Sequence, residues 1–392
     1  MPNAAGDSLE ARVRARREDL SRRGLLRLRR SPSGIDLSSN DYLQLSADPR
    51  IVGAFIDGLK REGCGSTGSR LLRGERDAFV DVERQFATFK GTERSLFFSS
   101  GYLANLAVLG TLPEDGDVIF SDERNHASLI DAVRLSRARR VVCPHNDGKA
   151  LARLLDETPC AGVRFVVIES LYSMDGDMAP LAEYAALCRS AGARLVVDEA
   201  HAVGIYGNGG TGLIEAAGVA DDVTVSVSTA GKALGVAGAF VAGPGWAIDD
   251  LAQRARPFVF STAAPPATAY ALRASLAIIG GEPERRERLL QRAAYLRGCL
   301  AAEGIDVPAG VSQIVPVLIG DNERAVAVAD AMQAAGFDVR AIRPPSVPPG
   351  TARLRISVNS GLSEATLQAF ACDLKGILAA TPAAAARPAS VR

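Results

Sequence analysis

The chain has 392 residues, 47 % of them hydrophobic and 23 % charged, and its 45 basic residues are balanced by 45 acidic ones. That length accommodates one large domain plus a smaller one, and a zero net charge excludes a protein that gathers nucleic acid through its overall field. The longest uncharged apolar run, 234–248, is broken by four glycines and a proline and falls short of the roughly 20 residues a bilayer requires, which excludes a membrane span.

The six cysteines are scattered, with no CxxC pair and no metal-ligand spacing. With no leader-like opening segment, this predicts reduced thiols in a cytoplasmic protein. Residues 8–30, SLEARVRARREDLSRRGLLRLRR, read as a basic amphipathic helix with Ser8 as N-cap, part of an N-terminal arm over 1–50. No aromatic residues interleave its arginines, so a solvated arm on the body fits better than a nucleic-acid arm.

Seven short apolar runs follow, at 94–100, 117–122, 140–144, 164–170, 194–200, 223–228 and 239–243. They are rich in Val, Ile and Phe, as strands buried on both faces are. Helical patterns lie between them, such as 180–193, which closes near a glycine. The alternation predicts an α/β fold with a mostly parallel seven-stranded sheet flanked by helices, over 51–285. From about Gly281 the pattern changes: charged helices at 282–304 and 322–336 flank strands at 312–320 and 353–358. This predicts a smaller C-terminal α+β domain over 286–380, and the low-complexity stretch 381–392 reads as a disordered tail.

In such sheets ligands gather beyond the carboxyl ends of the strands. One strand ends in VVDEAHAVG, with Asp198 followed by His201. Two readings fit Asp198 alone: a cap on the following turn, or an acid kept at the sheet mouth for a cation opposite. Lys232 follows the strand VTVSVS in the turn STAGKALGV, and it is one of only five lysines against 40 arginines. It is either a lysine snorkelling out of a loop or an amine chosen for its chemistry. An amine can lose its proton and form an imine, whereas a guanidinium stays charged. An aspartate and a lysine on adjacent strand ends meet the needs of pyridoxal 5'-phosphate: the lysine holds the aldehyde, and the carboxylate keeps the ring nitrogen protonated.

A phosphate cradle should accompany them. SSGYLAN (99–105) follows a strand and opens a helix, so the backbone N–H groups of Gly101 and Tyr102 would face an anion. The three histidines, His126, His145 and His201, each follow a strand. His126 could stack on a ring and His201 reach its phenolic oxygen. His145 reads as structural, since the following Asn-Asp suits a turn and a helix cap.

The segments SSNDYLQLS (38–46), GCGSTGSRLLRGE (63–75), SSGYLAN, NHASL, ESLYSMDGDMAPL (169–181), DEAHAVGIYG, STAGKALGV, FSTAAPPA (260–267) and AIRPPSVPPGTARLRIS (341–357) resemble, in order, the α-oxoamine synthases. The resemblance runs from about residue 20 to 375. It implies fold type I of the pyridoxal phosphate enzymes and the joining of an amino acid to an acyl thioester with loss of carbon dioxide. AIRPPSVPPGTARLRIS and ESLYSMDGD are most similar to members that take L-alanine and a pimeloyl thioester, carried by coenzyme A or by an acyl carrier protein.

Carried over position by position, the resemblance makes Lys232 the cofactor lysine and general base, and Asp198 the partner of the ring nitrogen. His126 would stack on the ring, with Ser173 and His201 near its oxygen. Gly101, Tyr102 and Thr229 would hold the phosphate, and Thr262 would reach in from a second subunit of a homodimer. Arg355, helped by Asn40, would bind the substrate carboxylate. On pattern alone RLRISV (353–358) equally fits a half-exposed strand with a solvated arginine. Arg22 and Arg23 would meet the distal carboxylate of the acyl chain. Phe79, Thr211 and the histidine-free SVNSG (357–361) depart from the family pattern. Three other readings stand beside this one: a sister α-oxoamine synthase using glycine or serine, an aminotransferase of the same fold, and a silent subunit. The last should lack the lysine.

Overall fold

The computed structural model describes residues 8–381; residues 1–7 and most of the tail read at 381–392 lie outside the described residues. Its strands are β1 (Ile35–Asp36), β2 (Arg94–Phe98), β3 (Val118–Asp122), β4 (Arg139–Cys143), β5 (Arg164–Glu169), β6 (Arg194–Asp198), β7 (Val223–Thr229), β8 (Ala239–Gly243), β9 (Ile314–Gly320), β10 (Phe337–Asp338), β11 (Arg340–Ile342) and β12 (Ala352–Ser357). The chain divides into two compact units. One gathers residues up to Ser39, Met174–Gly176 and Leu290 onward; the other holds Asn40–Ser173 and Asp177–Leu289.

The larger unit is built on a seven-stranded sheet in the order β2-β8-β7-β6-β5-β3-β4. All pairs are parallel except those of β8, which runs antiparallel to β2 and β7. The seven predicted strands are all present. Most are legible because both faces are buried, so the runs are continuously apolar: β3 and β8 are buried at every position, whereas β4 at the sheet edge is mostly exposed. On one face Val167, Val196 and Val227 pack against Ala104 and Val108 of the helix Gly101–Thr111 and Leu129 of the helix Ala127–Leu135. Such side chains contribute about 1.5–3 kcal/mol each. Against β8, Phe86 stacks on Phe240 with ring centroids 4.0 Å apart.

Strand order reverses around β3, which sits between β4 and β5. The carboxyl ends of the parallel strands therefore share one edge, where a cleft opens between connections that leave in opposite directions. That edge carries Asp122, Glu169, Asp198 and Thr229.

In the smaller unit β9, β11 and β12 form an antiparallel sheet in the order β11-β12-β9, and β1 pairs in parallel with β10. Ser8 caps its helix as read, accepting from Ala11 N–H at 3.1 Å. The helix runs only over Leu9–Arg22, however, and not to residue 30. Gly24 adopts φ +62°, which ends the helix although the basic pattern continues. None of that helix's residues is buried. Among the described residues no helix is long and apolar enough to cross a membrane, and no cluster of side chains could hold a metal ion.

Candidate active site

Two hydrogen-bonded chains of side chains meet at the carboxyl edge of the large sheet. The first starts at Asp198, the last residue of β6, which is 5 % exposed. Its Oδ1 accepts from Ala200 N–H at 2.8 Å, and its Oδ2 accepts from Asn105 Nδ2 at 2.8 Å. The same Asn105 amide donates to Ser128 Oγ at 2.9 Å. Ser128 Oγ lies 2.7 Å from His126 Nδ1, which also accepts from Ser128 N–H at 3.2 Å. His126 Nδ1 is therefore the acceptor nitrogen, and the proton sits on Nε2. Burial lowers its pKa, so the ring is neutral. A neutral, part-buried imidazole capping the helix Ala127–Leu135 offers a flat face for stacking.

The second chain starts at Lys232. Its Nζ is 2.9 Å from His201 Nε2, and His201 Nδ1 is 2.8 Å from the Tyr42 hydroxyl. Tyr42, fully buried, donates to Asn40 Oδ1 at 2.9 Å. A phenol has one hydrogen, and Asn40 Oδ1 can only accept it. His201 must then donate from Nδ1 to the phenol oxygen, which leaves the Nε2 lone pair facing the lysine amine. The relay fixes a tautomer, and the tautomer fixes which nitrogen meets Lys232.

The phosphate cradle has a physical signature. Gly101 opens its helix with Ser100 as N-cap, and a Cβ at Gly101 would overlap Thr229 Cγ2. Only glycine lets helix and turn approach this closely, and the first N–H groups of a helix have no partner within it. Ser228 Oγ beside them is buried without a hydrogen-bond partner. Asp198 makes no ion pair among the described residues. A buried carboxylate lacking a cation, an orphaned hydroxyl and a glycine cradle are what a phosphate-bearing pyridinium ring would complete.

The structure places the other predicted residues as follows. Tyr102 is exposed and its hydroxyl bonds Asp131, so only its backbone remains for an anion. Ser173 follows β5 in the turn closed by Tyr172 N–H to Asp177 O at 2.9 Å. Thr262 is exposed in the loop after the helix Arg256–Val259, where Ala263 N–H donates to Gly68 O at 2.9 Å. Arg22, Arg23 and Arg355 belong to the smaller unit. There Arg22 and Arg23 both pair with Asp19 on the surface, and Arg355 is 7 % exposed on β12 with Nη1 donating to Ser357 Oγ at 2.6 Å. The reading of Arg355 as a solvated strand residue is thus corrected: every residue of β12 is buried. The Asn-Asp after His145 forms the turn and cap read there, with Asn146 at φ +50° and Asp147 capping the helix Gly148–Glu157.

Four residues of this edge escaped the sequence reading: Tyr42, Asn105, Ser128 and Glu169. All four lie inside quoted motifs, and Asn105 ends SSGYLAN, one helical turn from Gly101. Glu169 ends β5 in register with Asp198, and its Oε1 accepts from His126 N–H at 2.6 Å. Burial, then the neighbouring Asp198, pushes it up to about 8, which keeps it an uncharged acid at neutral pH.

Known proteins resemble this chain over most of its length. The family model for aminotransferase class I and II matches residues 32–374. An 8-amino-7-oxononanoate synthase of Anaeromyxobacter dehalogenans is 46 % identical over 355 residues, 91 % of this chain and 89 % of the relative. A serine palmitoyltransferase from S. paucimobilis, solved with a bound PLP–myriocin aldimine, superposes with a TM-score of 0.90 at 30 % identity, covering 96 % of this chain and 99 % of its own. An 8-amino-7-oxononanoate synthase from Francisella tularensis gives a TM-score of 0.77 at 28 % identity, covering 89 % and 98 %. The chain therefore belongs to the aminotransferase class I and II family of pyridoxal phosphate fold type I proteins and, within it, to the α-oxoamine synthases.

Proposed function

We propose that this chain condenses L-alanine with a pimeloyl thioester, releasing carbon dioxide and the free thiol and giving 8-amino-7-oxononanoate, a step toward biotin. The observation that carries the chemistry is the Lys232 amine facing the His201 lone pair one strand from the cation-free carboxylate Asp198. The choice of substrates rests on the similarity to the Anaeromyxobacter enzyme, 46 % over 91 % of the chain.

Pyridoxal phosphate is the cofactor and, when bound, supplies the electron sink that lets a bond at the amino-acid Cα break. Lys232 would hold it and, once released, would serve as the base for the Cα proton. Asp198 keeps a proton on the ring nitrogen, and Asn105 and Ala200 N–H aim that carboxylate. His126 gives an uncharged stacking face, whose position Ser128 and Glu169 set. Ser173 and His201 would lie near the ring oxygen. Gly101, Tyr102 N–H and Thr229 take the phosphate. Arg355 binds the alanine carboxylate with its planar fork, aided by Asn40, and Arg22 and Arg23 meet the distal carboxylate of the acyl chain.

The protein acts in the cytoplasm as a homodimer in which Thr262 completes the neighbouring site. Leu72 and Phe260, 81 % and 73 % exposed and flanking the joined 68 and 263 loops, support that face as the subunit contact.

Thiol release by the purified protein with pyridoxal phosphate tests the reading. L-alanine, glycine and L-serine are crossed against pimeloyl-, acetyl-, succinyl- and palmitoyl-thioesters on coenzyme A and on carrier protein. Release confined to alanine with a pimeloyl donor is expected, and Lys232→Ala should lower it at least about 10⁴-fold with the fold intact. Release only with serine and palmitoyl-CoA would move the chain to the activity named for its structural neighbours. Full activity in Lys232→Ala would overturn the mechanism.

A further inference from the structure

Both ring nitrogens of His145 lie on carboxylate oxygens. Nδ1 is 2.9 Å from Asp122 Oδ1, and Nε2 is 2.6 Å from Asp177 Oδ2. Ionised carboxylates only accept, so both nitrogens must carry hydrogen. His145 is an imidazolium by geometry alone. Asp122 ends β3 and is buried, while Asp177 closes the turn that carries Ser173, receiving Tyr172 N–H at its carbonyl. Leu171 and Met178 bridge across the base of that turn.

The surroundings tighten the same joint. Asn146, at φ +50°, donates its backbone N–H to Asp122 Oδ2 at 3.1 Å. Its side-chain amide donates to Asp177 Oδ2 at 2.9 Å and to Met178 O at 3.2 Å. A non-glycine residue at positive φ is held there only by contacts of this kind. The Tyr172 ring stands edge-on to His145, centroids 4.5 Å apart and planes at 88°. The other titratable groups nearby are Glu123, whose Oε1 accepts His145 N–H at 3.2 Å, the buried Glu169, and Cys143, Tyr172 and Tyr184, all three kept protonated by burial and then by Asp122. None can replace the cation between the two aspartates.

We infer that His145 is a positioning residue: its imidazolium clamps the Ser173 turn to the carboxyl end of β3 and so sets Ser173 against the cofactor. The clamp rests on the geometry above; its effect on catalysis rests on the reading of Ser173 under Proposed function. Burial pulls the His145 pKa down, but the hydrogen bonds it donates to Asp122 and Asp177 outweigh it and leave it raised to about 9. The clamp is thus complete at neutral pH and comes apart as pH climbs past that value.

Nitrogen NMR of the full-length protein without cofactor, together with hydrogen exchange, tests this. Two protonated ring nitrogens on His145 at pH 7, titrating well above the ordinary 6.5, are expected. His145→Gln should speed amide exchange over residues 171–178 about tenfold, leave the core strands unchanged, shift the visible band of bound pyridoxal phosphate and lower kcat more than it raises KM. Asp177→Asn removes the second carboxylate without removing the histidine. It should lower the His145 pKa by a unit or more, and it serves if His145→Gln does not fold. A singly protonated ring at pH 7, or unchanged exchange over 171–178 in the variant, would overturn the clamp. Faster exchange with unaltered band and turnover would keep the clamp and remove Ser173 from the cofactor.

Discussion

Asp198 and Glu199 are consecutive, acidic and buried, yet their surroundings are opposites. Glu199 is fully buried and satisfied from within the protein: Lys90 pairs with it, and its Oε1 accepts from Ile214 N–H at 2.9 Å. Lys90 also donates to Thr211 O at 2.6 Å, so the pair ties the helix Asp77–Lys90 to the loop after β6. Thr211, a departure from the family pattern, enters this joint through its carbonyl, which any residue could supply. Asp198 receives two neutral donors and, among the described residues, no cation. One acid is finished by the chain; the other is arranged for a charge that comes from outside. Burial alone does not distinguish a structural carboxylate from a chemical one. The partner does.

Substitutions can break this contrast. The largest expected effect is at the chemical acid: Asp198→Asn should lower turnover about 10³-fold, roughly 4 kcal/mol in the barrier. Its urea midpoint should stay near wild type, because no ion pair is lost. Lys90→Met should do the reverse. It strands a buried carboxylate and should cost about 3–5 kcal/mol of stability, seen as a lower urea midpoint, while whatever protein stays folded keeps its turnover per bound cofactor. Equal stability losses in the two variants would erase the distinction.

Two smaller changes sharpen it. Tyr42→Phe removes the group that holds the His201 proton on Nδ1. A drop in kcat of about tenfold, with KM little changed and the pH profile displaced, is expected from steady-state kinetics. Glu169→Gln should have the mildest effect. The raised Glu169 pKa means that the folded state holds a proton the unfolded state releases, so its contribution to stability is full below about 4.5 and fades as pH rises through about 8. Glutamine should flatten urea stability across that window while still accepting from His126 N–H.

Much of this was legible in the sequence. The inner strands were readable because they are continuous apolar runs buried on both faces, unlike the edge strand β4, whose RRVVC is mostly exposed. Lys232 was readable because a lysine among 40 arginines, in a turn of small residues, needs a chemical reason. What was hidden depended on distant partners. Tyr42 reaches His201 across 159 positions, a pairing no local pattern encodes. The four residues of β1 and β10 are too few to show a period. The basic arm misled for a different cause: arginines continue past Arg22 with helical spacing, but Gly24 turns the backbone left-handed.

The adjacency of Asp198 and Glu199 also limits how this chain can change. Side chains alternate from one side of a strand to the other, so one deleted residue in β6 would bring Glu199 to the place of Asp198 and leave Lys90 facing the wrong neighbour. Every functional residue type would still be present, and a composition or motif count would hardly register the loss. Drift in this protein can exchange residues in β6, but it cannot shorten or lengthen the strand by one.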